Sequence, residues 1–459
     1  MSFWMLADAP DQPALIGLDG TLSRGELAAR ADAFVKTLPD KSRRKRLGLV
    51  LCRNEAAAII AYLGALRGGD AVMLLNEQTD ATLLAEVLSR FEPDWIAQHE
   101  GAQDWEAYQA TPFAQGWELL VRNAVATGPE IHSDVAVLLS TSGSTGSPKM
   151  VKLSHANLAA NAASIADYLA IDAGTRVITT LPSNYSYGMS VVNSHLHAGA
   201  ALVMTDASLM SREFWDAFEQ HQVNSMPGVP YTYQLLHRLN PRKLPLASLR
   251  TLTQAGGHLS APLQSFFHEL SQELGWRFFV MYGQTEAAPR ISYVPPEALA
   301  RKQGSIGIAV PGGRLSLSAD GELIYEGPNV MMGYAQSRAD LAGGDELQGR
   351  LATGDLAEID EDGFAFLRGR LKRFIKIHGN RISLDDIEQR LEAEFGPVVI
   401  VGGRDEKLRV RHTDGVDPAA IKSLISGLYR LHASVFAIEP VDTSPHTSSG
   451  KKDYTGLNA

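Results

Sequence analysis

Residues 135–149 read Val135-Ala-Val-Leu-Leu139-Ser140-Thr-Ser-Gly-Ser-Thr-Gly-Ser-Pro-Lys149. An apolar run rich in β-branched residues passes directly into small hydroxyl and glycine residues and ends on a lysine. The run Val135–Leu139 reads as a buried strand, and Ser140–Lys149 as a loop leaving its C-terminal end. Small residues let successive backbone N–H groups converge on one point, the hydroxyls add donors, and Lys149 adds positive charge. Such a loop suits a chain of phosphates. It is not a Walker-type loop, because Met150 follows the lysine where Ser or Thr would stand. A plain Ser/Gly linker is disfavoured by its place in the middle of an ordered pattern.

Outward from this stretch the chain alternates. Short apolar runs recur at Leu47–Leu51, Val72–Leu75, Val177–Leu181, Ala200–Met204, Arg250–Gln254 and Phe278–Met281. Segments with helical spacing lie between several of them: Asn54–Leu66, Ala156–Leu169, Ser211–Gln222 and Ala261–Leu274. Alternation of this kind predicts an α/β architecture with mostly parallel sheets flanked by helices. After about Ser292 glycine and proline become dense (Pro311, Gly312, Gly313, Gly327, Pro328, Gly333), which predicts a small β-rich subdomain. Gly369-Arg370-Leu371-Lys372 opens a basic strand-like segment. Ser383–Phe395 then reads as a helix with Asp385 and Asp386 in its first turn, where the helix dipole favours them. The expected division is a large N-terminal domain, 1–371, and a small mobile α+β domain, 372–459.

At 459 residues the chain is long enough for two or three cores. Its 45% hydrophobic and 20% charged residues are those of a soluble globular protein, and a net charge of −10 argues against a nucleic-acid partner. The single cysteine, Cys52, excludes an internal disulfide and makes a cysteine metal site unexpected. The opening residues lack the basic and apolar regions of a signal peptide, and no apolar run reaches membrane-spanning length. A cytoplasmic protein with no membrane span is the expectation.

Four further motifs succeed the loop in order: Tyr282-Gly283-Gln284-Thr285-Glu286, Thr353-Gly-Asp355, Gly369-Arg370-Leu-Lys372-Arg-Phe-Ile-Lys376-Ile-His-Gly379, and Pro445-His-Thr-Ser-Ser-Gly-Lys451. With the loop they resemble the signatures of the adenylate-forming (AMP-binding) superfamily, in its acyl-CoA synthetase branch. The matches span Ser140–Lys451, and the part before Val135 carries none.

The resemblance implies an ATP- and Mg²⁺-dependent ligase. It activates a carboxylic acid as an acyl-adenylate, releases pyrophosphate, and passes the acyl group to a thiol. Coenzyme A is the expected acceptor, with an acyl or aryl carrier protein as the alternative and a homodimer as an open assembly. ATP and AMP fall to Thr141, Ser142, Gly143, Ser144, Thr145, Gly146, Lys149, Gly256, Tyr282, Gly283, Gln284, Thr285, Asp355 and Arg370. Glu286 is the Mg²⁺ ligand, Asp355 the acceptor of both ribose hydroxyls, and Lys451 the cation between substrate carboxylate and α-phosphate. Lys372 is the hinge, Lys376 a second catalytic lysine, and Gly379 lines the path of the incoming thiol.

The same roles make chemical sense from the residues. A carboxylate attacking the α-phosphate brings anions together, so cations and a metal must offset the charge that builds up. A carboxylate such as Glu286 is an oxygen ligand for Mg²⁺, and one such as Asp355 has lone pairs for two hydroxyls. Arg370 reads either as a ribose donor or as a hinge ion pair.

The resemblance places the acid pocket at Tyr185, Tyr187, Gly228, Gly257 and His258, with core packing the competing role for the tyrosines. Amino-acid-activating members of the family this chain resembles carry an Asp in the segment matching Asn184 and Tyr185, to pair with the α-amino group; none stands there, so the resemblance favours an aliphatic or aryl acid over an amino acid. Three features are read as ordinary: Lys41–Arg46 as a solvated loop, Arg404, Lys407, Arg409 and Arg411 as a solvated strand face, and His195 and His197 as core or edge residues. After Val401 the chain reaches Val410 quickly, so a strand pair of the small domain is expected to be reduced. A non-catalytic adenylate-binding protein is disfavoured by the presence of Lys149, Glu286 and Lys451.

Overall fold

The helix Ala56–Gly68 shows how the larger part of the chain is layered. From Ala57 to Leu66 every residue is buried, and a helix apolar on all sides must lie inside the protein. It packs on the helix Arg24–Thr37, where a Cβ at Gly64 would fall 2.6 Å from the Phe34 ring. The computed structural model describes the chain except residues 1, 18–19, 39–43, 103–104, 125, 127, 141–148, 372, 378–379, 397, 405–406, 414, 430, 443–451, 453, 455–456 and 458–459, and except the side chains of 374, 376, 380, 381, 383, 386 and 433.

Backbone contacts divide the chain into two units. The first holds Met1–Gln303, Gly307–Arg314 and Tyr325–Leu351. Among its described residues lie two large sheets. The nine-stranded sheet has six parallel strands in the order Arg277–Gly283, Thr251–Gln254, Ser225–Gly228, Arg176–Ile178, Ala201–Val203 and Pro13–Gly17. Antiparallel strands close its edges: Gly20–Ser23 on one side, Arg290–Val294 and Ile308–Ala309 on the other. The eight-stranded sheet has four parallel strands, Trp95–His99, Leu47–Cys52, Ala71–Asn76 and Val135–Ser140, with antiparallel strands beyond both ends. One core joins the facing sides through the buried helices. It includes Val50, Leu74 and Val137 from one sheet, Leu202, Phe279 and Met281 from the other, and Ala61, Leu158 and Val191 from the helices. The fold is α/β, as expected.

The second unit holds Gly304–Ile306, Leu315–Ile324 and Ala352–Ala459. The cut expected at 371/372 falls within it. Here Arg350–Ile359 pairs antiparallel with Ala365–Arg370 in a four-stranded sheet. The hairpin Phe374–Ile377/Asn380–Ser383 comes next, then the helix Leu384–Phe395. A three-stranded sheet completes it: Val399–Arg404, Lys407–Thr413 and Phe436–Val441, with the helix Pro418–Tyr429 crossing between the last two. Its own core gathers Ile375, Ile387, Leu391, Val401, Val410 and Ile421.

The structure corrects three readings. The strand pair expected to be reduced is present, with Val399–Arg404 paired along its whole length to Lys407–Thr413. The short span from Val401 to Val410 is itself the tight hairpin. The apolar run Val177–Leu181 is strand only as far as Ile178; beyond it Thr179 N donates to the Val203 carbonyl at 2.9 Å and Thr179 Oγ1 lies 3.2 Å from the Thr205 carbonyl. The basic run is not wholly solvated: Arg46 forms a buried ion pair with Asp70 at 2.9 Å, and Lys45 Nζ donates to the Ser133 carbonyl at 2.6 Å.

Candidate active site

Four neighbouring parallel strands deliver the site groups from one end. Tyr185 and Tyr187 lie beyond Arg176–Ile178, Gly228 ends the next strand, Gly256 and Gly257 succeed Thr251–Gln254, and Tyr282–Glu286 continue from Arg277–Gly283. In open parallel sheets ligands bind at the carboxyl ends of the strands. At the opposite ends of these strands lies a polar cavity of about 60 Å³, lined by Arg250, Arg277, Thr251 and Asp172, and no expected site residue reaches it.

Tyr185 immediately precedes the helix Ser186–His197, which is buried from Ser186 to Leu196. Tyr187 is 3% exposed, and its hydroxyl lies 3.0 Å from the Thr253 carbonyl and 2.8 Å from the Thr253 hydroxyl. The two rings meet edge to face at 6.3 Å. A Cβ at Gly256, whose φ is +81°, would fall 2.3 Å from the Tyr185 hydroxyl, so only glycine allows that approach. Gln254 Nε2 donates to the Gly257 carbonyl at 2.9 Å and fixes the turn. A Cβ at Gly228 would meet Thr232 at 2.8 Å. His258 is exposed. Burial pushes the Tyr185 and Tyr187 phenols up, so both are neutral donors.

The segment after Gly283 is held on several sides. A Cβ at Gly283 would fall 2.0 Å from the Pro289 carbonyl oxygen. Gln284 Nε2 donates to the Tyr282 hydroxyl at 2.9 Å, and the Thr285 hydroxyl donates to Ser186 Oγ at 3.2 Å. Asn329 Nδ2 donates to the carbonyls of Ala287 and Arg290 at 2.6 and 2.8 Å and Asn329 Oδ1 receives the Tyr325 hydroxyl at 2.7 Å. Glu286 Oε1 accepts from the Tyr334 hydroxyl at 2.9 Å, and Lys149 Nζ lies 3.3 Å from the centroid of the Tyr334 ring. Tyr334 thus touches both a cation and a carboxylate of the expected site. Burial and the Glu286 charge together push its phenol up.

Glu286 suits a Mg²⁺ ion that arrives with nucleotide phosphates. Among the described residues no group of three His, Cys, Asp or Glu side chains forms a cage, and Mg²⁺ is commonly held by one or two carboxylates plus substrate phosphates and water. His195 serves the core: Nδ1 lies 2.8 Å from the Val191 carbonyl, and burial pushes the ring down to about 4.

In the second unit, Asp355 Oδ1 lies 3.1 Å from Arg370 Nε across paired strands. Asp355 is 3% exposed, and its turn is fixed by Thr353 Oγ1, which donates to the Leu323 carbonyl, and by Gly354 N, which donates to Glu322. The ion-pair reading of Arg370 is therefore realised within this unit, and Arg370 N also donates to Asp385 at 2.9 Å. Thr141, Ser142, Gly143, Ser144, Thr145, Gly146, Lys372, Gly379 and Lys451 lie outside the described residues, as does the side chain of Lys376.

Sequence reasoning missed Tyr334, Asn329, Ser186 and Arg290. Tyr334 and Asn329 are remote from the motifs and act through contacts the fold alone creates. Arg290 stands four residues past Glu286, and a positive charge in an otherwise apolar strand was the signal available.

The chain is similar to known proteins. The AMP-binding enzyme family matches residues 3–335. An indoleacetate–CoA ligase of Aromatoleum aromaticum is 30% identical over 388 residues, covering 78% of this chain and 73% of that protein. A feruloyl-CoA synthase of an Amycolatopsis species is 30% identical over 349 residues, covering 69% and 68%. Among solved structures, ATP-bound MatB from Rhodopseudomonas palustris superposes with a TM-score of 0.80 at 23% identity, over 98% of this chain and 97% of that one. The o-succinylbenzoate CoA synthetase of Bacillus subtilis, in complex with its acyl-adenylate, gives 0.79 at 22% over the same shares. At such identities the two structures speak for the fold.

Proposed function

The chain belongs to the AMP-binding enzyme family and is an AMP-forming acid–thiol ligase, and from that premise we propose that it joins a carboxylic acid to coenzyme A with the residues described above in defined roles. The observation that carries this assignment is the convergence of Tyr185, Tyr187, Gly228, Gly256, Gly257 and Tyr282–Glu286 at the carboxyl ends of four adjacent parallel strands. In the first step an oxygen of the acid attacks the α-phosphorus of ATP, the bond to the β-phosphate breaks, and pyrophosphate leaves. In the second a thiolate attacks the acyl carbon, the bond to the AMP oxygen breaks, and the thiol proton passes to solvent.

Backbone and hydroxyl groups of 141–146, with Lys149 and Thr285, receive the phosphates. Glu286 would hold Mg²⁺, and that ion would neutralise phosphate charge. Asp355, with Arg370 beside it, takes the ribose hydroxyls. Lys451 bridges the two anions in the first step. The functional boundary of the mobile C-terminal part is placed at 371/372, inside the second unit. Rotation about Lys372 exchanges Lys451 for the segment bearing Lys376 and Gly379, because one arrangement must otherwise crowd both lysines and a thiol around one phosphorus.

The acceptor is coenzyme A rather than a carrier protein, in line with the relatives named as CoA ligases. The cytoplasm is its compartment, in keeping with a single cysteine, Cys52, and so no internal disulfide. A homodimer is part of the proposal and is checked by sedimentation. The test of function is ATP–pyrophosphate exchange over aliphatic, aryl and amino acids, with separate assays of acyl transfer to coenzyme A and to a phosphopantetheinylated carrier. Exchange with a non-amino acid and transfer to coenzyme A are expected. Exchange with amino acids alone, or transfer to the carrier alone, would overturn the corresponding part.

A further inference from the structure

Arg290 is 2% exposed, and among the described residues no carboxylate lies within ion-pairing distance of it. Its guanidinium carbon sits 4.6 Å from the centroid of the Tyr187 ring, and Nη2 lies 3.5 Å from Ser190 Oγ. Nε is buried with no hydrogen-bond partner. The titratable groups facing it are the phenols of Tyr168, Tyr185 and Tyr187, which burial keeps neutral. A buried charge without a counter-charge is strongly destabilising, and stacking on one aromatic ring offsets only part of that. Among the described residues nothing supplies the rest.

The position of Arg290 is nonetheless held firmly. Its carbonyl accepts Asn329 Nδ2 at 2.8 Å and Asn161 Nδ2 at 3.3 Å. It shares the stapled segment of Glu286 and pairs with Gly283 across the strands. Its side chain runs to Tyr187, a wall of the assigned acid pocket. A guanidinium presents several donors in a planar fork matched to a carboxylate.

We propose that Arg290 is the specificity-determining residue of the acid pocket and selects acids bearing a second carboxylate at the end remote from the reacting one. This rests on the reading of the site as acid-activating. The incoming dicarboxylate supplies the missing counter-charge, and the neutral tyrosines around the pair exclude water.

The test compares length-matched pairs of aliphatic and aryl acids, each dicarboxylic acid beside its monomethyl ester, in pyrophosphate exchange. For the best-fitting pair the parent enzyme is expected to favour the diacid on the order of 10²-fold in kcat/KM, the usual loss when one partner of a buried charge pair is removed. In Arg290→Met that ratio should collapse toward one, and Arg290→Lys should restore part of it. Thermal shifts of the parent by diacid and by monoester give the same ranking without any variant, should Arg290→Met fail to fold. A parent that prefers the ester in every pair, or an Arg290→Met variant that lowers all acids equally with the ratio unchanged, would overturn the inference. It would leave the acid-activating reading intact. No exchange with any acid, by folded protein that binds ATP, would overturn both.

Discussion

Glu286 and Glu388 are two carboxylates held in opposite ways. Glu388 is 6% exposed and saturated. Oε1 accepts Lys452 Nζ at 2.8 Å and the Tyr454 hydroxyl at 2.7 Å, while Oε2 accepts Val401 N at 2.7 Å and Arg373 Nη2 at 3.4 Å. Lys452 also reaches Glu392, and Arg373 also reaches Asp385 and lies 4.0 Å from the Tyr454 ring. Glu286 is half-buried and, among the described residues, its side chain is bonded by one neutral hydroxyl, that of Tyr334. The first charge is used up in holding Lys452 and Tyr454 to the helix Leu384–Phe395. The second retains lone pairs for a ligand. A saturated carboxylate marks structure and an open one marks chemistry, and the difference is measurable because removing each should damage a different property.

The largest effect is expected from Lys451→Ala, next in the chain to the anchored Lys452. Adenylate formation should fall on the order of 10²–10³-fold while ATP still binds. Unchanged pyrophosphate exchange would remove Lys451 from the site. Glu388→Gln should act on stability instead, lowering it by about 3 kcal/mol in thermal unfolding, since Lys452 and Arg373 would lose their shared counter-charge. An unshifted transition would show that the cluster holds nothing.

Acid should act on the same cluster. Burial tends to raise Glu388, but Lys452 and Arg373 outweigh it and hold the carboxyl below its usual range. Its contribution is present above about pH 4.3, the ordinary value for Glu, and is lost as pH falls through the lower folded value.

Between these lies the hinge. Lys372→Pro fixes φ near about −65° and should keep pyrophosphate exchange while slowing thioester formation from preformed adenylate by at least roughly tenfold. Equal loss of both steps in a folded variant would count against rotation about Lys372. Glu286→Gln should reduce activity by roughly tenfold and raise the Mg²⁺ concentration needed for half-activity, with unfolding unchanged. A parental Mg²⁺ titration would strip Glu286 of its role. Tyr334→Phe is expected to have the smallest effect. Loss of one neutral hydrogen bond, about 1 kcal/mol, should change the Mg²⁺ dependence a few-fold; a change as large as that of Glu286→Gln would mean that Tyr334 itself meets the ligand.

The expected α/β fold was legible because its strands are apolar and short, and Ala261–Leu274 was placed to the residue by its helical spacing. The helix Ser186–His197 was not legible. Its first turn, Ser-Tyr-Gly-Met, has modest helix propensity, and Tyr185 before it provides no side-chain cap. Burial between layers makes that helix, and burial depends on partners distant in the chain. The same reason hid Tyr334 from sequence reasoning, since its link to Glu286 exists only because Gly333–Ala335 pairs with Met150–Ser154. Lys41–Arg46 was misread because a charge run is usually solvated, whereas Asp70, 24 positions after Arg46, draws that arginine inside.

The buried helix that carries Tyr187 also bounds how this protein can evolve. Residues 187–196 are interior packing on every face, so the proposed acid pocket would share a wall with the core. Substitutions that widen the pocket there would open voids in the same packing that keeps the larger unit folded. New acids are therefore more accessible to the lineage through the exposed margin at His258 than through the helix interior.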